Sequence, residues 1–314
     1  SMQDGKSQQE RWEEAAAACN DFITILGNKY PMDEYRLIRD YQNGEIIFDR
    51  RYGSTNTFEK NNYPVGYNLG QSGNTPSQNL VDAYEMIDGT PFDWNNPEHK
   101  SNPYANRDPR LAMSILTNNV EFKDRTIEAW TGGRDGKGVI HATRTGYYIY
   151  KFIDPNLDLL QNRTSVHHWV IMRYAEILLS YAEAMNEAYG PTGNVGYRLN
   201  AVRALNQVRN RVGVEMPAVP TAISKEELRE KIRNERRVEL AFEDHRFWDV
   251  RRWMIAPETL GAPLRGVEIT KISDEEFEYK PIEVEKRTFE PKMYLYPIPQ
   301  ADLNTTGWVQ NPLW

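Results

Sequence analysis

The stretch NERRVELAFEDHRFWDVRRW, residues 234–253, combines dense mixed charge with large aromatic side chains. Ten of its twenty residues are Asp, Glu, Arg or Lys, and four are aromatic: Phe242, Phe247, Trp248 and Trp253. Three interpretations are open: an active site, a nucleic-acid-binding surface, or a buried ion network that holds the fold together.

Charged and apolar residues share one helical stripe in this stretch. Steps of three and four residues connect Leu228, Ile232 and Phe242 with the charges at positions 235, 239, 246 and 249. A buried charge without a partner costs several kcal/mol, whereas the planar fork of Arg pairs well with a carboxylate. We therefore predict a structural ion network formed by Glu235, Arg236, Glu239, Glu243, Arg246 and Asp249.

The same arginines disfavour catalysis by this stretch. Acid–base catalysis needs two carboxylates whose pKa values are pushed apart, whereas Arg on every side would keep both ionised. The chain also contains no HExxH motif and no Ser-His-Asp order typical of a hydrolase. These patterns predict no catalytic residue.

The overall composition excludes several classes of function. The 314 residues carry 38 Lys and Arg against 45 Asp and Glu, and this net charge of −7 disfavours nucleic acid as a partner. Cys19 is the single cysteine, which excludes an intrachain disulfide and a cysteine-rich zinc site. His167 and His168 are adjacent and do not share a helix face, and Gly132–Gly138 lacks the spacing of a phosphate loop. No metal and no cofactor are predicted.

The beginning of the sequence suggests a trimmed boundary. No apolar run approaches the roughly 18 residues that span a bilayer. The initial Ser1 and Met2 resemble the remnant of an expression vector. We expect the native N-terminus to be missing, together with any export or lipidation signal.

Helical patterns occur at the start of the chain and in its second half. An Ala-rich helix is predicted from about Gln8 to Leu26, and GEIIF at 44–48 is a strand candidate. In residues 167–253 a mostly apolar helix with one narrow polar stripe must pack on more than one neighbour. With the amphipathic helix that follows, it resembles a TPR unit, although no second copy recurs at a fixed period.

The last third of the chain is more polar. Ser224 and Glu227 form a capping box that starts another helix, and residues 259–286 form a polar stretch. Residues 287–314 are expected to be an extended tail without a helix, because they contain three prolines: Pro297, Pro299 and Pro312.

Residues from about 49 to 154 form a loop-rich region crowded with turn signals and aromatic residues. A sugar ring needs an exposed aromatic platform together with polar partners for its hydroxyl groups. Five aromatics beside turns or polar neighbours are therefore candidates for ligand binding: Tyr52, Tyr63, Tyr67, Trp94 and Trp130. A packing role for each of them is the competing interpretation.

Several segments together resemble the SusD/RagB family of outer-membrane nutrient-binding lipoproteins. They occur in family order: YPMDEYRLIRDYQNGEIIF, PSQNLVDAYEMIDG, NRDPRLAMSI, TGYYIYKF, VIMRYAEILLSYAEAMNE, ERRVELAFEDHRFWDVRRW and YLYPIPQADLNTTGWVQNPLW. The resemblance covers nearly the whole chain, so residues 1–314 are interpreted as one domain that lacks the N-terminal part of the family's chain.

The resemblance implies a mainly α fold in which TPR-like helix pairs support a loop-rich, ligand-binding region with a few short strands. It also implies a lipid-anchored, surface-facing protein of the outer membrane that captures glycans for a SusC-like TonB-dependent transporter. By the same resemblance we expect a binding protein and not an enzyme. The anchor would lie outside this chain, because Cys19 falls inside a predicted helix. No ligand-binding residue carries over from the family.

One departure from the family pattern is Asp244, where members often have Gly. Asp tolerates left-handed backbone, so a helix break is expected there. Three alternative functions remain open: a binder of peptides or other nutrients within the family, a glycoside hydrolase, and a helical scaffold without a ligand.

Overall fold

The computed structural model describes residues 5–314 and contains helices and short strands around two large apolar cores and a smaller one that contains Tyr35, Ile38 and Val170. The helices are α1 Gln8–Leu26, α2 Thr57–Asn62, α3 Gln78–Val81, α4 Pro97–Ser101, α5 Arg110–Ser114, α6 Tyr174–Tyr189, α7 Ala201–Arg209, α8 Lys225–Glu239, α9 His245–Arg252, α10 Ala256–Thr259 and α11 Gln300–Thr306. The strands are β1 Ile46–Arg51, β2 Ile115–Leu116, β3 Glu121–Phe122, β4 Arg125–Thr126, β5 Tyr148–Ile149, β6 His168–Arg173, β7 Leu264–Lys271 and β8 Phe277–Glu285. The predicted mainly α fold with few short strands is confirmed.

Helix α6 is the centre of the helical layer. It packs against α1, α7 and α8, as expected for a helix that is apolar over most of its circumference. Ten of its sixteen residues are buried, among them Leu178, Leu179 and Met185. Within residues 5–314 no helix has both the length and the apolarity to cross a membrane.

The segment before α6 is a strand, so the prediction that helical structure begins near residue 167 is wrong. His168–Arg173 pairs antiparallel with Ile46–Arg51, the strand expected from GEIIF. The β-branched residues Val170 and Ile171 favour the pleated sheet, and Arg173 keeps extended backbone as the residue that caps α6.

Local signals set the bounds of α8 and α9. The Ser224–Glu227 capping box is present at the start of α8. The helix ends at Glu239, and Asp244 adopts left-handed backbone with φ 64° immediately before α9. The expected break at Asp244 is thus observed, and it separates the predicted stripe into two helices.

The loop-rich region has an apolar core of its own. This core contains buried tyrosines and aliphatic residues, including Tyr84, Ile127 and Tyr148, whereas the helical core contains Leu178 and Leu205. Helix α8 contributes residues to both of these cores: Val238 belongs to the core of the loop-rich region, and Ile232 belongs to the helical core.

The C-terminal part differs from the sequence prediction in two respects. Residues 264–285 of the polar stretch form the antiparallel hairpin β7–β8, which buries Val267, Ile269 and Tyr279. The tail contains the helix Gln300–Thr306, so the expectation of an extended tail without a helix is wrong. Its prolines flank this helix, and Pro299 is its capping residue, where a missing N–H is tolerated.

Candidate functional site

A largely buried ion network joins the loop-rich region to the helical layer. Among the described residues, six carboxylates and six cations form it: Glu45, Glu85, Asp108, Glu235, Glu239 and Glu243 with Arg110, Lys151, Arg173, Arg209, Arg211 and Lys231. The equal numbers leave no excess charge within the network, which keeps the cost of burying it low.

Glu239 lies at the centre of this network and is fully buried. Its Oε1 accepts hydrogen bonds from Arg211 and, at 2.7 Å, from Arg173, while Oε2 accepts one from Arg110 at 2.8 Å. Arg110 also binds both oxygens of Asp108, at 3.0 and 2.7 Å. Glu239 therefore connects α8 to α5, to the end of β6 and to the loop after α7.

The arginines keep the central carboxylates ionised. Burial opposes ionisation of Glu239, but attraction to Arg211, Arg173 and Arg110 outweighs it and holds the pKa well below its ordinary value. For Glu243, burial is likewise outweighed by Arg173 and Lys151, which lower the pKa to about 2. Carboxylates held ionised in this way are poor proton donors at neutral pH.

Arg246 departs from the predicted network. Glu235, Glu239 and Glu243 lie in the main network, and Arg236 pairs with Asp249 at 2.9 Å in a smaller cluster. Among the residues that the structure describes, the Arg246 guanidinium has no ion-pair or hydrogen-bond partner. The left-handed backbone at Phe242 and Asp244 rotates α9 relative to α8, so the stripe does not continue in phase.

A cavity of about 490 Å³ opens in the loop-rich region, between α4, the loop before β3 and the turn of the β7–β8 hairpin. Its aromatic wall is formed by Tyr104, Phe277 and Tyr279. The ring centroids of Tyr104 and Tyr279 lie 5.3 Å apart in an edge-to-face contact, and those of Phe277 and Tyr279 lie 6.4 Å apart. Phe277 and Tyr104 are half-buried and Tyr279 is buried, so the first two rings offer the accessible area of this wall.

Polar side chains surround the mouth of the cavity. Asn102, Asn119, Glu275 and Glu276 line it and are exposed. Within the described part of the chain their side chains form no hydrogen bonds, so their donors and acceptors are available to a ligand. Asn118 is different, because its amide accepts from the Ala129 N–H at 3.1 Å and donates to Tyr279.

Arg107 stabilises the backbone beneath this cavity. Its guanidinium donates to the carbonyl oxygens of Val81 and Pro103, both at 2.6 Å, and of Tyr84 at 2.7 Å. Burial lowers its pKa to about 10. The side chain is thus occupied by backbone contacts and acts as a support for the cavity.

Trp130 is the predicted ligand aromatic that lies nearest to this wall. Its ring centroid is 5.3 Å from that of Phe277, and Lys271 lies over the ring at 5.0 Å. The following turn requires Gly136, because a Cβ there would meet the Trp130 carbonyl oxygen at 1.7 Å. The glycine-rich segment is therefore a structural turn, and Asp135 closes it by binding Arg125 at 2.6 Å.

Tyr63 and Tyr67 are buried, so the prediction that their rings serve as exposed platforms is wrong. The Tyr63 hydroxyl donates to Asp154 O, and the Tyr67 hydroxyl donates to Phe122 O at 2.7 Å. Both rings pack edge-to-face on Phe122, and Arg125 covers the Tyr67 ring at 3.9 Å. Both tyrosines are part of the apolar core under the loops, so neither ring has a free face on which a sugar could stack.

Trp94 and Tyr52 lie outside the cavity lining. Trp94 is half-buried against the core of the loop-rich region, and its indole N–H donates to Asp82 at 3.0 Å. Tyr52 is 46% exposed and lies under the Arg50 guanidinium. Tyr63 and Tyr67 thus lie together on Phe122, whereas Tyr52, Trp94 and Trp130 lie elsewhere. The ligand-binding role of Tyr52, Trp94 and Trp130 stays a prediction.

Phe277 and Asn119 were not predicted from the sequence. Phe277 lies outside the loop-rich region that supplied the candidates, in a stretch interpreted only as polar. The alternation of Phe277 and Tyr279 was the available signal for a half-buried strand. Among residues 5–314 no group of three or more His, Cys, Asp or Glu is arranged to hold a metal.

Comparisons of the sequence and of the structure with known proteins agree on one family. The sequence model of the SusD family matches residues 44–314. SusD-like protein P2 of Formosa agariphila is 34% identical over 120 residues, which cover 37% of this chain and 22% of that protein.

Two crystal structures from Bacteroides fragilis share the fold. A SusD-like protein is 30% identical with a TM-score of 0.78, and the match covers 97% of this chain and 62% of that one. A SusD-like carbohydrate-binding protein is 28% identical with a TM-score of 0.78, covering 94% of this chain and 61% of that one. The present chain therefore spans less than two thirds of the length of these relatives.

Proposed function

This chain belongs to the SusD family, and on that premise we propose that it captures glycans at the bacterial cell surface for delivery to a TonB-dependent outer-membrane transporter. The SusC-like transporter as partner and the lipid-anchored outer-membrane location are parts of this proposal that rest on family membership. Carbohydrate binding is also the property named for one relative with 28% identity.

The observation that carries the proposal is the cavity of about 490 Å³ with one aromatic wall and a polar mouth. A sugar ring presents an apolar C–H face and a rim of hydroxyl groups. Phe277 offers the surface for that face, and Asn102 and Asn119 offer amide donors and acceptors for the hydroxyls. The volume lies within the range of about 300–1,000 Å³ that is typical of small-ligand sites.

The carboxylates at this cavity support binding rather than hydrolysis. A glycosidase places two carboxyl groups on opposite sides of the scissile bond. Here Asp108 is occupied by Arg110, while Glu275 and Glu276 are neighbours on one turn. A non-catalytic role is therefore proposed, and release of sugars from oligosaccharides incubated with the protein would contradict it.

Calorimetric titration with a panel of neutral and acidic oligosaccharides tests glycan binding. Phe277→Ala is expected to lower the affinity for the oligosaccharide that binds the wild type about fivefold, because a lost stacking contact costs about 1 kcal/mol. Trp248→Ala is the matched control, since Trp248 is 63% exposed on α9 and does not line the cavity. If Phe277→Ala binds the oligosaccharide as tightly as the wild type, the glycan site lies elsewhere on the protein. If the protein binds peptides and no sugars, the alternative function of a peptide binder is favoured.

Delivery to a transporter is tested separately. When the protein is co-expressed with a SusC-like TonB-dependent receptor from the same organism, the two are expected to co-purify from detergent-solubilised outer membranes. If the protein binds glycans but does not co-purify with the receptor, the proposed glycan capture stands and the proposed transporter partner is refuted.

A further inference from the structure

A second cavity, of about 370 Å³, lies beside the candidate site. The two share Pro109 and Ala112 at the start of α5, so the helix forms a common border. A ligand longer than one sugar ring that occupies the first cavity is therefore close to the second.

The second cavity is lined by cations and aromatic rings. Arg36, Arg39 and Lys151 contribute to its lining together with Tyr150 and Phe152, and among its lining residues in the described chain there is no Asp or Glu. This composition differs from the first cavity, where Glu275 and Glu276 line the mouth. The local charge is positive in a protein whose net charge is −7.

The three cations have different roles. Lys151 is buried and fully occupied, because its ammonium donates to Glu243 at 2.6 Å and to the carbonyl oxygens of Glu239 and Ala241. Burial lowers its pKa to about 8, so it remains largely charged at neutral pH. Arg39 donates one hydrogen bond, to Ile153 O at 3.2 Å.

Arg36 is the cation of this lining whose guanidinium donors are all free. It is exposed, and within residues 5–314 its guanidinium has no hydrogen-bond or ion-pair partner. The planar fork of an arginine matches a carboxylate or a sulfate ester and binds it through two hydrogen bonds.

The aromatic side of this cavity is strained. Phe152 adopts left-handed backbone with φ 70°, an unfavourable conformation for an aromatic residue. This conformation places a half-buried ring at the lining, with the Lys151 ammonium 5.6 Å from its centroid. Tyr150 is also half-buried, and among the described residues its hydroxyl has no hydrogen-bond partner.

We propose that this cavity is a subsite for an acidic sugar residue, whose carboxylate or sulfate ester binds Arg36 and Arg39 while its ring contacts Phe152. The proposal rests on the proposed function, and it specifies the class of glycan: an acidic oligosaccharide that extends from the first cavity across α5.

The test compares three sets of oligosaccharides of matched length by calorimetric titration of the full chain: uronic-acid-containing, sulfated and neutral. One acidic set is expected to bind at least about tenfold more tightly than its neutral counterpart, because a charge-assisted hydrogen bond contributes about that factor in affinity. The difference between the carboxylate and sulfate sets identifies the anionic group. Inorganic sulfate alone is expected to bind far more weakly, and equal binding by the free ion would refute a saccharide subsite.

Arg36 variants provide the second part of the test. Arg36→Gln is expected to remove most of the preference for the acidic ligand, and Arg36→Lys is expected to restore part of it. Arg203→Gln is the control, because Arg203 is an exposed arginine on α7 outside this cavity. Arg36 is exposed, so folding should be retained, and the melting temperature verifies it.

The failures of the two proposals are distinguishable. If no oligosaccharide binds, glycan capture itself is refuted. If acidic and neutral oligosaccharides bind equally, Phe277→Ala weakens both and Arg36→Gln changes neither, then the glycan site stands and the acidic subsite is refuted.

Discussion

Replacing Glu239 by Gln removes one negative charge from the centre of the ion network while it preserves the volume of the side chain. Three guanidiniums, those of Arg110, Arg173 and Arg211, then lose an ionised partner. Each keeps another carboxylate, but six cations face five carboxylates in a dry interior. Stranding buried charge in this way costs roughly 3–5 kcal/mol.

The expected loss is a large share of the stability of an ordinary domain, which is about 5–15 kcal/mol. At roughly 2 °C per kcal/mol for a chain of this size, the melting temperature should fall by about 6–10 °C. Differential scanning calorimetry and urea unfolding, both followed at neutral pH, measure the change. Affinity for the glycan should stay within about threefold in the protein that folds.

Glu230→Gln on the same helix is the matched control. Its carboxylate pairs with Arg233 at the surface, and its side chain is 70% exposed, so the expected change is below about 1 kcal/mol. If Glu239→Gln were as stable as Glu230→Gln, the structural role of the network would be refuted. A stable Glu239→Gln protein that had lost binding would instead place the ligand site at α8.

Further predictions concern acid stability, the helix break and the turn behind Trp130. The folded pKa of Glu243 is about 2 against an ordinary 4.5, so its stabilisation is complete above about pH 4.5 and is lost as the pH falls towards 2; Glu243→Gln should therefore flatten the dependence of the urea midpoint on pH in that window. Asp244→Gly should raise the free energy of unfolding by up to about 1 kcal/mol in urea titrations, because Gly adopts φ 64° without strain. Gly136→Ala should lower it by about 2 kcal/mol, because the added Cβ meets the Trp130 carbonyl oxygen, and a stability equal to wild type would contradict this packing.

Features that depend on local sequence were predictable. The Ala-rich run and its glycine end define α1, and the Ser224–Glu227 pair defines the start of α8. The break at Asp244 was expected because the resembled family often has Gly there and Asp also tolerates left-handed backbone. Each of these signals acts within about four residues, so no knowledge of the tertiary fold was required.

Features that depend on distant pairing were not predictable. The partners of Glu239 come from Arg110, Arg173 and Arg211, which lie 129, 66 and 28 positions away in the sequence. The rings of Tyr63 and Tyr67 occur among turn residues typical of a surface, yet the core beneath the loops buries them. Phe277 was hidden in a polar stretch because its hairpin buries only one face.

The ion network also explains how a surface made of loops can be rigid enough to present a binding cavity. Arg110 belongs to α5, which borders both cavities, and its guanidinium is tied through Glu235 and Glu239 to α8. Because a buried charge tolerates few alternative partners, this arrangement fixes the position of α5 on the helical layer. The loop that carries Asn119 and the hairpin that carries Phe277 can then vary in sequence without displacing that border, as long as the twelve charged groups beneath them remain paired.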